Sequence, residues 1–300
     1  MRGTVINYFD KISRVRVLSL FDGISCARIA LGDRVESYTA SEIDEDAIGC
    51  SRHNWPDIRH IGSVKDINPS EHSIDLLVGG SPCQDLSSAN PKKAGLDGQK
   101  SGLFWEYIRV LRGCRPRYFI FENVYSMSPA ARDTITRELG VEPLLINASR
   151  FSAQSRKRLF WTNIPLTPLP EDRGITLGSI AVVGDQLALE NPRLLPAHEF
   201  TTLTRPNTGD LHWVGIVRGS MYSTERVYAD TGKASTLRCR SREYFQINGV
   251  VRQLTITEIE RLQSLPDGYT ASMRTRTKRM HAIGNGFNVD VIRWIVSHIP

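Results

Sequence analysis

Short apolar runs separated by polar, glycine-bearing turns dominate the first half of the chain. VRVLSLF (15–21) ends at Asp22-Gly23, and SYTASEI (37–43) follows a short helix-compatible segment closed by Gly32. IDLLVGG (74–80) and YFIFENV (118–124) are two further runs of the same kind. Between them, SGLFWEYIRVLR (101–112) sets Leu103, Phe104, Tyr107, Ile108 and Leu111 on one face at helical spacing. Short apolar strands alternating with helices predict an α/β fold around a largely parallel sheet covered on both sides.

That rhythm breaks at 165–200, where PLTPLPEDRG and NPRLLP leave no room for long elements. From there to about 250, HWVGIVR, RVYAD and YFQIN are strand-compatible pieces between Gly, Asp and Arg-rich turns. The pattern predicts one domain from 1–165 plus 251–300, and a small, irregular second domain over 166–250. Thr257 and Glu260 have capping-box spacing at a helix start, and VDVIRWIVSHI (289–299) reads as the final helix. There is no internal repeat or low-complexity tract.

Composition narrows the class. The 40% hydrophobic and 23% charged fractions fit a packed chain rather than a disordered one. No stretch approaches the roughly 18 apolar residues of a membrane span. The first ten residues, MRGTVINYFD, lack the apolar core of an export signal, so a chain that is not secreted is expected. Cys26, Cys50, Cys83, Cys114 and Cys239 are dispersed and form no C-x-x-C pair, so neither a disulfide framework nor a cysteine zinc site is expected. The net charge of +6 is localised: residues 201–280 hold 13 Lys+Arg against 7 Asp+Glu, and the remainder holds 25 of each. Such a segment suits a polyanion-binding surface, although a solvated basic face has the same composition.

Four places carry candidate chemistry. FDGISCARIALG (21–32) is the strand-to-helix turn at which a Rossmann-like sheet receives a cofactor, although Ser25 and Cys26 stand where glycine is frequent. Glu42, 19 residues beyond Gly23, is placed to accept hydrogen bonds from ribose hydroxyls, and Asp66 is suited to an adenine amino group. GGSPCQDLSSANP (79–91) sets Cys83 directly after a buried-type strand, as a reactive thiolate requires; a small buried thiol is the alternative. Glu122 in FENV ends the next strand, as a catalytic acid or a solvated terminus. QSRKR alternates Gln154, Arg156 and Arg158, a pattern that an exposed strand face also produces.

The order F-x-G, P-C-Q, E-N-V, Q-x-R-x-R and a terminal G-N, here AIGNGFNVDVI, resembles the cytosine-5 DNA methyltransferase family along nearly the whole chain. LTITEIERLQSLPDGY resembles that family's helix beneath its recognition domain, and the spelling of FDGI and SPCQDLS is similar to the short de novo branch, with phage and bacterial members of similar size. Ser25 and the G-N-G form of the terminal motif depart from many members. The resemblance implies a Rossmann-like S-adenosylmethionine-dependent sheet with a small target-recognition domain at 166–250. It implies methyl transfer to carbon 5 of a flipped-out cytosine in double-stranded DNA, through a covalent adduct of Cys83. Glu122 would bind ring nitrogen 3, and Arg158 with Arg156 the carbonyl oxygen at ring position 2.

Cofactor contacts are implied at Phe21, Asp22, Gly23, Ile24 and Ser25 in the first turn. Glu42, Ile43, Asp66 and Ile67 follow in the next two, with Pro82, Asn285 and Gly286 completing the set. DNA contacts are implied at Gln84 and Ser87 on one side of the base. Arg238, Arg240 and Arg242, alternating after Ser235-Thr236, are candidates on the other. No metal is implied, and a monomer suffices. The expected location is the cytoplasm of a bacterial or phage-infected cell, or the nucleus of a eukaryote. A transfer-RNA cytosine-5 methyltransferase, a catalytically silent DNA-binding adaptor and an unrelated Rossmann enzyme with a structural cysteine are the alternatives; whether a restriction partner exists is left open.

Overall fold

A computed structural model describes residues 14–82, 102–202, 209–217, 226–237 and 243–300. The first-half runs become a seven-stranded sheet: β1 (Val15–Leu20), β2 (Val35–Ser41), β3 (Arg59–His60), β4 (Leu76–Gly79), β5 (Tyr118–Val124), β6 (Leu144–Asn147) and β7 (Lys157–Thr162). Their spatial order is β3-β2-β1-β4-β5-β7-β6, parallel except for β7, which runs antiparallel to both neighbours. Sequence order reverses beside β1, leaving a crevice at the carboxyl ends of β1 and β4.

Alternation explains why β1, β4 and β5 are interior. Val17, Val78 and Ile120 point into one core, while Leu18, Leu77 and Phe121 point into the other. Full burial of such a side chain contributes roughly 1.5–3 kcal/mol, so both faces must be covered. On the first face lie α1 (Cys26–Leu31), α2 (Glu45–Asn54) and the carboxyl-terminal helices; on the second lie α3 (Leu103–Cys114) and α4 (Pro129–Leu139). Phe104, Tyr107 and Ile108 of α3 are buried, as their helical spacing predicts.

After α5 (Gly184–Glu190) comes a second sheet of β8 (Phe200–Thr202), β9 (Trp213–Val217), β10 (Arg226–Ala229), β11 (Tyr244–Ile247) and β12 (Val250–Arg252). Three of its strands match the expected pieces. The hairpin β11–β12 was not expected: Asn248 and Gly249 both have positive φ (52° and 79°), the conformation of a two-residue hairpin turn. β12 therefore runs across the 250/251 boundary drawn from sequence.

The chain returns to the main core through α6 (Ile256–Leu262), α7 (Arg276–Asn285) and α8 (Val289–Val296). The capping box of α6 lies two residues earlier than expected, at Thr255 and Glu258. Both Thr-x-x-Glu spacings fit a cap, and tertiary partners decide between them. Glu258, fully buried, receives both the Arg252 guanidinium (2.6 and 2.8 Å) and the Val182 N–H (2.8 Å). Glu260 instead turns inward and accepts from the Gly268 and Thr270 N–H groups and from Arg279.

Candidate active site

The carboxyl ends of β1, β2, β4 and β5 open onto a cavity of about 470 Å³. Phe21, Asp22, Gly23, Glu42, Ile43, Pro82, Glu122, Arg156, Arg158, Asn285 and Gly286 line it, so most residues singled out from sequence converge there. Cys83, Gln84, Ser87, Arg238, Arg240 and Arg242 lie outside the described residues.

The turn after β1 is built to expose its main chain. Phe21, Gly23 and Ser25 all have left-handed φ (57°, 59° and 61°). A Cβ at the Ser25 position is tolerated because the side chain is locally satisfied: its hydroxyl donates to the Asp22 carboxylate (2.5 Å) and pairs with the Ser51 hydroxyl (2.6 Å). The Tyr38 hydroxyl donates to the other Asp22 oxygen (2.6 Å), and Ser51 extends the chain to Nε2 of His60 (3.1 Å). Burial pushes the Asp22 carboxyl up to about 6, against the pull of hydrogen bonds from Ser19, Ser25 and Tyr38. Asp22 and Ser25 thus form the turn's buried frame. Glu42, leaving β2, accepts from the main-chain N–H groups of Gly23 (2.8 Å), Ile43 (2.8 Å) and Asp44 (2.9 Å). A carboxylate has about four acceptor positions, so Glu42 keeps capacity for a ligand.

At the other end, strand register creates an ion pair. Arg158 lies opposite Val124 in the β5–β7 ladder and Glu122 opposite Phe160, so Glu122 and Arg158 are diagonal neighbours on one face. Their side chains meet at 2.8 Å (Nε to Oε1), each mostly buried. Gly80 permits this: a Cβ there would come within 3.1 Å of Glu122 Oε2 and 3.3 Å of the Phe287 ring. Ser81 fixes the strand end by accepting from Asn123 Nδ2 at both its carbonyl and its hydroxyl (3.3 Å each).

Several expected contacts fall elsewhere. Ile24 is buried in the core, its carbonyl accepting from the Tyr269 hydroxyl (2.8 Å). Asp66 is exposed and Ile67 buried away from the cavity; Ser63, Val64 and Lys65 take that stretch of wall. Gln154 and Arg156 are buried, so QSRKR is not an exposed strand face. His281, Phe287 and Leu103 also line the cavity, and only Leu103 had been marked in the sequence, as part of an apolar helix face. Burial pushes the thiols of Cys26 and Cys50 up to about 12 and about 11, so neither is a thiolate at neutral pH.

A doubly wound sheet with a carboxylate-rimmed crevice at its strand switch defines a nucleoside-binding α/β enzyme fold. The chain belongs to the C-5 cytosine-specific DNA methylase family, whose model matches residues 15–165 and 172–300. Among curated relatives, the orphan methyltransferase M.Rho11sI of Bacillus phage rho11s is 43% identical over 119 residues, 38% of this chain but only 24% of that protein. The type II methyltransferase M.NgoPII of Neisseria gonorrhoeae is 25% identical, with 95% of each chain covered. The solved methyltransferase EhMeth of Entamoeba histolytica superposes with a TM-score of 0.68 at 13% identity, over 95% of this chain and 98% of that one, a likeness of fold. Among the described residues no helix is long and apolar enough to cross a membrane.

Proposed function

We propose that this protein transfers a methyl group from S-adenosylmethionine to carbon 5 of a flipped-out cytosine in double-stranded DNA. The observation that carries the reading is the Glu122–Arg158 pair, 2.8 Å apart, at the end of the cavity reached by Pro82, the residue before Cys83. The lining also fits the cofactor: Glu42 offers a carboxylate to vicinal hydroxyls, and the φ of Gly23 turns its main chain toward the cavity. When bound, S-adenosylmethionine supplies an electrophilic methyl group.

The remaining steps fall to the chain's own residues. The Cys83 thiolate forms a bond to ring carbon 6, which makes carbon 5 an enamine-like nucleophile. Glu122 hydrogen-bonds at ring nitrogen 3 and supports its protonation during that addition, and Arg158 donates to the oxygen at ring position 2. Once carbon 5 carries the methyl group, loss of its proton breaks the carbon–sulfur bond and frees Cys83. Burial pushes the thiols of Cys26, Cys50 and Cys114 up, so none of these three is favoured as the thiolate over Cys83. Residues 166–250 act as the recognition segment; its basic part is 201–250, which includes Arg238, Arg240 and Arg242 and holds seven Lys+Arg against four Asp+Glu.

Radiolabelled methyl transfer to duplex DNA and to transfer RNA tests this reading. Label in DNA, at cytosines that bisulfite sequencing then locates, is the expected result. Label in transfer RNA alone, or in neither, would refute it.

A further inference from the structure

We infer that Arg156 is a positioning residue for the cofactor wall of the cavity, not a ligand of the target base. The inference rests on the proposed S-adenosylmethionine site. Alternation in QSRKR would give Arg156 and Arg158 a shared role, but Arg156 stands just before β7 begins at Lys157. Its side chain takes a different course. Nη2 donates to the carbonyl oxygens of Gly284 and Gly286, at 3.1 Å each, and the residue is only 4% exposed. Gly284 lies in the last turn of α7, and Gly286 caps it. That end carries the negative pole of the helix and carbonyls without intrahelical partners, so a guanidinium is a strong partner there.

The same turn is held from two other sides. Gln263 of the segment after α6 donates from Nε2 to the carbonyls of Ile283 (3.1 Å) and Gly286 (3.3 Å). Against α1 there is no slack: a Cβ on Gly286 would lie 2.9 Å from Cys26 Sγ. The clamped turn lines the cavity from Gly284 to Phe287 and carries Asn285 and Gly286, the two residues expected to touch the cofactor. Arg158, by contrast, is committed to Glu122 at the base end. The two arginines therefore divide the labour, Arg156 setting the shape of the cofactor wall and Arg158 serving the base.

The test separates binding from turnover. S-adenosylhomocysteine binding by calorimetry and methyl-transfer kinetics would be measured for the natural protein, Arg156→Ala, Arg156→Lys and Arg158→Ala. Loss of a charge-assisted pair of hydrogen bonds should weaken S-adenosylhomocysteine by roughly tenfold or more in Arg156→Ala, with part of the loss restored in Arg156→Lys. The cofactor KM should rise by more than kcat falls. In Arg158→Ala, kcat should fall while S-adenosylhomocysteine binds as before. Should Arg156→Ala not fold, Gln263→Ala removes the other donor to the same turn and should show the same KM-weighted defect. Arg156 or Gln263 variants that bind S-adenosylhomocysteine normally yet lose kcat would overturn the assignment. No binding by the natural protein would instead refute the cofactor site itself.

Discussion

The two sheets differ in how they use their strands. In the large sheet, parallel strands deliver their carboxyl ends to one crevice, so residues far apart in sequence (Gly23, Glu42, Pro82, Glu122) meet without any being adjacent. The small sheet has strands of three to five residues, mostly antiparallel, and, among the described residues, a small core of its own in which Leu195, Val227 and Tyr244 are buried. Tyr228 and Phe245 contribute to the main core instead. Polar anchors add to that apolar packing: Lys233, buried, donates to the Ser149 carbonyl (2.7 Å) and the Asp172 carboxylate (2.9 Å), and Arg252 pairs with Glu258. A small sheet that borrows its core and is anchored by directional bonds can vary its exposed face while its placement stays fixed.

The sharpest way to separate the two regions is to remove the proposed nucleophile. Cys83→Ala should abolish methyl transfer in a radiolabel assay while leaving DNA binding largely intact, since affinity comes mainly from phosphate contacts. Glu122→Gln should follow with a kcat loss of roughly 10²–10⁴, the usual contribution of a positioned acid, read in the same assay. Breaking the anchor of the small sheet comes next. Arg252→Ala strands the buried Glu258 carboxylate and should cost about 3–5 kcal/mol in urea unfolding.

Smaller effects probe the crevice itself. Glu42→Ala should weaken S-adenosylmethionine far more than DNA, by roughly 1.5–3 kcal/mol per lost charge-assisted bond, and calorimetry with each ligand checks the contrast. The pH-dependent effect concerns Asp22. Its folded carboxyl titrates at about 6 against an ordinary 3.8, so the folded state holds a proton that the unfolded chain has released. Stability should therefore fall as pH rises from about 4 to about 6 and then level off. Asp22→Asn should flatten that slope in pH-resolved denaturation, and an unchanged slope would show that Asp22 is not its source.

Much of the large sheet was legible because β1, β4 and β5 are apolar on both faces, a signature that survives without tertiary knowledge. Glu42 and Glu122 were legible as the polar residues that end such strands. That Ser63, Val64 and Lys65 rather than Asp66 line the cavity has a physical reason. β3 has two residues and is followed by a 3-10 turn, so no periodicity fixes which of Ser63 to Ile67 faces the cavity. Arg156 and Arg158 looked equivalent because alternation was extended one residue beyond the strand. The capping box had two equally spaced solutions, and the buried pairing of Arg252 with Glu258, which local spacing does not encode, chooses between them.

The account's central claim is that the crevice of the large sheet activates cytosine through Cys83. Duplex DNA carrying 5-fluorocytosine at the target tests it most directly, because fluorine cannot leave as a proton does. The account predicts a denaturant-stable protein–DNA complex that needs S-adenosylmethionine and whose cross-linked peptide contains Cys83. Methylation of ordinary DNA with no such complex, or a cross-link to another residue, would contradict it.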